Sequence, residues 1–413
     1  MGASDAEFGE APFEIIDGDR GKSYPKQSDF LESGHCLFLS ATNVTKAGFN
    51  FTECLFINED KDAALNKGKL QREDIVLTTR GTIGNTAYFN HTVPFDNLRI
   101  NSGMVILRCD RSKLSPAYLY HFVRSPNFHE QVNSLRSGVA QPQLPIRDMR
   151  RIKLPLPPLL VQQRTAGILS AYDELIENSQ RRIKILEAMA RALYREWFVH
   201  FRFPGHEHHS RVASSLGGIP KGWQVKKLGE IAEDMRRNVS KGQLEEPKPY
   251  VGLEHIPRRS LALDTWETAT ELGSNKLEFK KGEVLFGKIR PYFHKVSVAP
   301  FDGLCSADTI VIRSRRPEHY AVVVACVSSD AFVADASATA NGAKMPRANW
   351  GVLEKFPVVI PTGKVAEKFS ALFADILRQQ QALIFQIQNL RRTRDLLLPR
   401  LLSGQIDVEA MAA

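Results

Sequence analysis

"SGVAQPQLPIRDMRRIKLPLPP", residues 137–158, returns in altered form as "NGAKMPRANWGVLEKFPVVIPT", residues 341–362. Gly138 pairs with Gly342, 342 − 138 = 204 residues on, and the same offset pairs Pro142 with Pro346, Ile146 with Trp350, Met149 with Leu353, Ile152 with Phe356 and Pro157 with Pro361. A self-match at one fixed period marks a duplicated structural unit, so the chain reads as two like halves.

Behind each final proline runs a long helical pattern. Leu169, Tyr172, Ile176, Ser179, Ile183, Leu186, Ala190, Leu193 and Trp197 are spaced alternately by three and four residues. The same offset gives Phe373, Ile376, Gln380, Leu383, Ile387, Leu390, Arg394, Leu397 and Leu401, again mostly apolar. A stripe this narrow, recurring every 3.5 residues, is a coiled-coil seam and needs a partner helix, since a straight rod cannot bury its own stripe. Each seam would be about 42 Å long at about 1.5 Å per residue. The two helices are expected to partner each other, and to run antiparallel, because that direction keeps the two large segments at opposite ends of the pair. Gln380 and Arg394 interrupt the second seam, as buried polar residues that set register do. Pro399 is expected to end or kink the second helix, since proline lacks a backbone donor. Ile168, Leu175, Ile185 and Phe198 on one helix, and Leu372, Leu377, Ile384, Phe385, Leu396 and Leu398 on the other, fall off the seam. Two helices alone would leave them wet, which implies a docking protein.

The large segments read as mixed α and β. "REDIVLTTRGTIGNTAYF" (72–89) and "KKGEVLFGKIRPYFHKVSV" (280–298) carry β-branched and aromatic runs on both sides of a tight turn, as hairpins do. "SGMVILRC" (102–109) and "SADTIVIRS" (306–314) follow as strands, and Ser115 with Pro116 opens a short helix. The expected division is a first α/β domain over 1–156, a long helix over 157–202, a linker over 203–219, a second α/β domain over 220–360, a second long helix over 361–404 and a tail over 405–413.

Composition narrows the function. With 413 residues and 43% hydrophobic side chains, two domains or more can each bury a core. A net charge of +9 favours an anionic partner, provided that the basic groups gather on one face. The five cysteines are odd in number and never in a C-x-x-C spacing, so neither a disulfide framework nor a zinc ribbon is indicated. The opening residues lack a secretion signal and the longest apolar run, "YAVVVACV" (320–327), is far short of a bilayer span, so a cytoplasmic protein without membrane association is expected.

No catalytic motif emerges. "GDRGKS" (18–23) ends like a P-loop, but the glycine that motif requires is Ile16. An acidic or Asn residue followed by Pro-Pro and an aromatic, as adenine methyltransferases carry, is missing, as are a cofactor-binding G-x-G-x-x-G, a nucleophile elbow and an H-E-x-x-H helix. His200, His206, His208 and His209 lie around the linker without ordered spacing and are read as solvated, not as metal ligands. The chain therefore reads as a binder, with a self-contained nuclease or fused methylase the least favoured class.

Loop chemistry points to the ligand. The hairpin turns hold Thr79, Arg80 and Thr82 in one half and Lys288, Arg290, Tyr292, His294 and Lys295 in the other. The duplicated phrases add Arg136, Gln141 and Gln143, then Lys344 and Arg347. Cations with hydroxyl and aromatic neighbours suit phosphate oxygens and base edges, and Gln can bond adenine, or Arg guanine, in bidentate fashion. Taken singly each is an ordinary surface residue; recurrence at matched loops makes them candidate DNA contacts.

The order of a variable α/β domain, "PLPPLLVQQRTAGILSAYDELIENSQRRIKIL" (155–186), a second variable domain and "RRTRDLLLPRLLSGQI" (391–406) resembles the specificity subunit of type I restriction-modification systems. "PKGWQVKKLGEIAED" (220–234), "GEVLFGKIRPYFHKV" (282–296) and "DGDRGKSYP" (17–25) resemble blocks of that family too. One departure is "FGEAPFEIIDGDRG" (8–21), which lacks a counterpart of "GWQVKKLGEIA" and leaves the first strand of the first domain open. The resemblance implies two target-recognition domains, each reading one half of a bipartite, asymmetric duplex DNA site, separated by an antiparallel helix pair that acts as a ruler. It also implies two modification subunits that carry S-adenosylmethionine, two restriction subunits that can join, and no cofactor or catalytic residue in this chain. A two-headed coiled-coil adaptor that binds only proteins is the alternative.

Overall fold

The computed structural model describes residues 4–137, 142–408 and 410. It divides into two units, one of Met1–Glu174 with Arg391–Ala413 and the other of Leu175–Leu390.

In the first unit β1 (Ser4–Glu7) is followed by β2 (Phe13–Asp17), the hairpin β3 (Ile75–Thr78) and β4 (Thr86–Tyr88), β5 (Met104–Cys109), helices α1 (Pro116–Phe122) and α2 (Pro126–Leu135), and β6 (Lys153–Leu156). An antiparallel sheet in the order β2-β5-β3-β4 forms the centre, and β1 pairs with β6 as a separate ribbon. Strand β3 is buried at all four positions, so its "IVLT" run has no polar face to offer water. The Ser115 hydroxyl accepts from the Tyr118 amide and Pro116 opens α1, where its missing N–H costs nothing. A smaller three-stranded sheet joins Phe56–Ile57, Cys36–Leu39 and Leu98–Ile100. The first long helix, α3 (Leu159–Tyr194), then begins.

The second unit repeats the plan with β7 (Gln224–Lys227), β8 (Ala232–Asp234), the hairpin β9 (Val284–Gly287) and β10 (Val296–Val298), β11 (Thr309–Ser314), α4 (Tyr320–Val327), α5 (Asp330–Ala338) and β12 (Pro357–Ile360). Its central sheet has the equivalent order, β8-β11-β9-β10, and β7 pairs with β12 as β1 does with β6. A five-stranded sheet over Arg237–Leu272 and Lys276–Ser306 takes the place of the smaller sheet.

The strand that the sequence left open is therefore β1. Phe8 N donates to Ile152 O (2.8 Å) and Gly9 N to Arg150 O (2.9 Å), while Leu228 N donates to Phe356 O (2.9 Å) and Gly229 N to Glu354 O (2.8 Å). Gly9 and Gly229 share a reason for lacking a side chain, since a Cβ would stand 3.3 Å from Arg150 Cβ in one and 3.0 Å from Glu354 Cβ in the other.

The second long helix, α6 (Gly363–Leu402), passes through Pro399, so of the two outcomes expected of that proline it does not end the helix. Only one turn remains there, and Ser403 N still reaches Pro399 O at 3.0 Å. Both long helices are shared between the units and are not separate bodies. In the second unit Ile176, Ile183, Leu186, Ala190 and Trp197 share one core with Phe373, Ile376, Leu383 and Ile387, with Leu193 and Leu390 partly buried against it. The Trp197 ring lies 5.8 Å from that of Phe369. In the first unit Leu169 is buried with Leu398, Leu401 and Leu402, Leu397 packs against them, and Tyr172 is half-buried. Late residues of α3 thus meet early residues of α6 in one unit, and early residues of α3 meet late residues of α6 in the other, which is antiparallel packing. Phe198, Ile384 and Leu398, expected to be wet off the seam, are buried because each unit's own core reaches around its helix segments. Leu175, Ile185, Leu372, Phe385 and Leu396 stay exposed, joined by Met189.

Part of the stretch read as a connector is structured. Arg211–Ser214 and Gly217–Pro220 pair as a hairpin around Ser215 and Leu216, with Gly217 at φ 89°, so the Gly and Ser content marks a turn within it. At the far end, Ile406 and Val408 pack into the core of the first unit.

Candidate nucleic-acid interface

The duplicated phrase builds the same small frame in each unit. In the first, Ser137 N donates to Gln143 O (3.0 Å) and Gln143 N to Ser137 O (2.9 Å). That pairing is fastened beside the β3–β4 hairpin by Leu144 N donating to Thr79 O (2.9 Å), and Thr79 N donates to Gly103 O (2.8 Å). In the second, Asn341 N donates to Arg347 O (3.0 Å), Arg347 N to Asn341 O (2.8 Å), Ala348 N to Lys288 O (2.9 Å) and Lys288 N to Asp308 O (2.9 Å). The bridges correspond, Arg80 to Gln143 in the first unit and Ile289 to Arg347 in the second. Leu144 and Ala348, at 2% and 3% exposure, anchor the loops into their cores and leave the neighbouring side chains to solvent.

Arg80, Thr82, Arg136 and Gln143 are exposed, and so are Tyr292, Lys344 and Arg347; Arg290 and Lys288 are half-buried. Gln141 lies outside the described residues. Among the described residues Arg80, Arg136, Arg290 and Lys344 have no ion-pair partner, which leaves two uncompensated cations beside each frame. Arg347 stands 3.7 Å from Asp308, and Lys288 Nζ donates to Ala307 O at 3.0 Å. Tyr292 is 56% exposed with its ring 4.9 Å from Phe293, over which the Arg258 guanidinium lies at 4.1 Å.

Three of the expected contacts are committed inside their unit instead. The Thr79 hydroxyl, buried, donates to Gly103 O at 3.0 Å. His294 is buried with Nε2 2.9 Å from Ser328 O, and burial lowers its pKa. Lys295 Nζ donates to Leu253 O, and burial draws its pKa below that of an ordinary lysine. A hairpin end needs inward polar groups as well as outward ones, and the sequence pattern does not separate the two.

Arg236 and Asn238, which the sequence reading passed over, line a cleft of about 510 Å³ with Lys288, Asn341, Arg347 and Trp350 in the second unit. The Arg236–Arg237 pair after β8 was the available signal, but only Arg236 faces the cleft while Arg237 pairs with Glu283 at 2.5 Å.

The hairpin turns also differ in backbone chemistry. Gly81 (φ 71°) and Gly84 (φ 87°) hold the left-handed positions of the first, and Arg290 (φ 50°) and His294 (φ 52°) hold the matching positions of the second. A side chain there is strained, and strain of this kind collects at functional sites. His294 has a structural reason, its bond to Ser328 O. Arg290 has only backbone bonds, N to Pro346 O at 2.7 Å and O accepting from Phe293 N at 2.9 Å, and a guanidinium unpaired among the described residues.

The chain is similar to known proteins in a consistent way. Residues 13–188 match the family model described as the type I restriction modification DNA specificity domain. The type I restriction enzyme MjaIX specificity subunit of Methanocaldococcus jannaschii is 25% identical over 82% of this chain and 78% of its own length. The EcoDI specificity subunit of Escherichia coli is 28% identical over 43% of this chain and 41% of its own length. The crystal structure of a type I restriction-modification S subunit from M. genitalium has the same fold, with a TM-score of 0.56 at 14% identity over 96% of this chain and 95% of that one. With the DNA specificity domain matched over residues 13–188, its frame repeated in the second half and the fold shared across the whole, the chain is similar along most of its length to the specificity subunits of type I restriction-modification systems, a likeness that supports a role in DNA sequence specificity.

Proposed function

We propose that each unit reads one half of a bipartite, asymmetric duplex site, and that the chain positions two modification subunits on it, to which two restriction subunits can be added. The observation that carries this reading is the pair of matching backbone bond patterns bearing different side chains. A protein's internal symmetry mirrors two half-sites, and differing loops suit half-sites of differing sequence. Arg80 and Arg136 in one unit, and Arg290 and Lys344 in the other, are placed to neutralise phosphates beside each frame. Thr82, Gln143, Tyr292 and Arg347 are the side chains free to face base edges, and Lys288 can follow if it leaves its carbonyl. Methyl transfer belongs to the modification subunits, which bring S-adenosylmethionine, and no step of it is assigned to this chain. The complex would work on cytoplasmic DNA, and among the described residues no single helix is long and apolar enough to cross a membrane.

The exposed Leu175, Ile185, Met189, Leu372, Phe385 and Leu396 on the long helices are the surface offered to protein partners. They would serve equally in a coiled-coil adaptor that binds no DNA. Binding of the chain to a random duplex separates the readings. Phosphate neutralisation releases counterions, so affinity should fall steeply between about 50 and 200 mM salt. Absent or salt-indifferent binding would leave only the adaptor.

A further inference from the structure

Gln143 and Arg347 occupy one position in two copies of the same frame. Each exchanges both backbone bonds with its loop partner, Ser137 or Asn341, and each is followed by a buried anchor, Leu144 or Ala348. Each side chain is exposed. Among the described residues Gln143 makes no side-chain hydrogen bond, and the Arg347 side chain makes none either, its one ion pair being with Asp308 at 3.7 Å. Neither side chain has a structural task, although the backbone that carries it is held firmly.

What changes between the copies is informative. Duplex DNA presents the same phosphates at any half-site, and a neutral amide such as that of Gln143 cannot neutralise one. This position is a neutral amide in one and a guanidinium in the other. Base edges are what differ between half-sites, and these two side chains are the ones whose geometry matches purines in the major groove, Gln to adenine N6 and N7 and Arg to guanine O6 and N7. Phosphate binding is left to the neighbouring unpaired cations. Asp308 stands 3.7 Å from Arg347, too far for a hydrogen bond, and puts an opposite charge beside its guanidinium. Its counterpart in the first unit is Gly103, at the position where Thr79 N donates, so the neutral Gln143 has no such charge beside it and needs none.

We propose that Gln143 and Arg347 are equivalent base-reading positions, Gln143 taking an adenine in one half-site and Arg347 a guanine in the other. This deepens the DNA-recognition reading above and rests on it. The test is selection of bound sequences from randomised duplex with the full chain, comparing wild type with Arg347→Gln, Gln143→Arg and Arg347→Lys. Arg347→Gln should change one guanine to adenine in a single half-site, with a preference change of roughly tenfold. Gln143→Arg should make the reverse change in the other half-site. Arg347→Lys keeps the charge but loses the planar fork, so it should bind random duplex as wild type does while its guanine preference weakens without vanishing. Unfolding midpoints equal to wild type are expected for all three, since both side chains are free. Wild-type enrichment of a bipartite motif that Arg347→Gln and Gln143→Arg leave unaltered would overturn the proposal and leave DNA recognition standing. Failure of the wild-type chain to enrich any sequence would overturn both.

Discussion

Asp173 on the first long helix and Arg394 on the second meet at 2.6 Å, Oδ1 accepting from Nη1, inside the first unit. The other carboxylate oxygen accepts from Arg124 Nη1, also at 2.6 Å, so one side chain ties both long helices to the globular part of its unit. Burial opposes the charge of Asp173, but Arg124 and Arg394 outweigh it and hold the carboxyl below its ordinary pKa. Adding the repeat offset to Asp173 gives Leu377, and subtracting it from Arg394 gives Ala190. The second unit fills the equivalent place with apolar side chains, so the polar cluster distinguishes the two ends of the helix pair, as buried polar positions set register in coiled coils.

Removing the carboxylate leaves two half-buried guanidinium groups without their shared acceptor. Asp173→Ala is expected to lower unfolding stability by about 2 kcal/mol, a value discounted from that of a fully buried pair because solvent still reaches the groups. A double-mutant cycle with Arg394→Ala, followed by urea unfolding, should give a coupling of at least about 0.5 kcal/mol. Additive losses would remove the pair from any role in register.

The same cluster makes the first unit sensitive to acid through His121. Burial pushes its pKa down to about 4; Asp173 opposes that shift, while Arg124 and Arg394 add to it. Its Nε2 lies 3.0 Å from Ser170 Oγ. The unfolded chain takes up a proton at about pH 6.5 and the folded chain only near 4, so between those values the unfolded state binds more protons and stability falls as pH falls. The contribution is complete above pH 6.5, and about 2 kcal/mol of it is gone by pH 5. His129, His294 and His319 are lowered by burial as well, so the difference between wild type and His121→Gln isolates this residue. Urea midpoints that fall equally for both proteins between pH 7.5 and 5 would contradict the assignment.

How far the sequence could be read depended on where side chains, not backbone, carry the pattern. The repeat was legible because Met149 and Leu353, or Ile152 and Phe356, must fill equivalent core positions, and an apolar requirement survives substitution. β1 was hidden because "SDAE" and "QVKK" share only a backbone ladder, which many side chains permit. The matched loops were visible as composition, yet the inward turn of Thr79, His294 and Lys295 was not, since a hydroxyl or ammonium is spelled the same whether it meets a carbonyl or a phosphate. The strained position of Arg290 was equally silent, because the glycine that would announce it stands only in the other copy, at Gly81.

That strained position yields a prediction in which stability and function separate. Left-handed backbone costs a side chain roughly 1–2 kcal/mol, and glycine forgoes about half of that gain through its freer unfolded chain. Arg290→Gly should therefore leave the unfolding midpoint unchanged or raised, while Arg290→Ala should lower or hold it. Both should weaken recognition of one half-site and spare the other. Equal loss at both half-sites, or destabilisation by glycine, would make Arg290 a structural residue of its turn.

If the long helices set the spacing of the two half-sites, their length should be adjustable at the places where each passes from one unit to the other, between Glu174 and Leu175 and between Leu390 and Arg391. Seven residues are two turns of a 3.5-residue seam, so inserting seven at both places keeps every apolar residue on its stripe. The pair would gain roughly 10 Å at 1.5 Å per residue, equal to about three base pairs. Inserting four at each place would turn the stripes out of register and should cost stability without defining a new spacing. Methylation mapping in cells that express the chain with its modification subunits should find both half-sites retained and the gap between them longer by about three base pairs for the seven-residue variant. An unaltered gap in a folded, active variant would show that something other than helix length fixes the spacing.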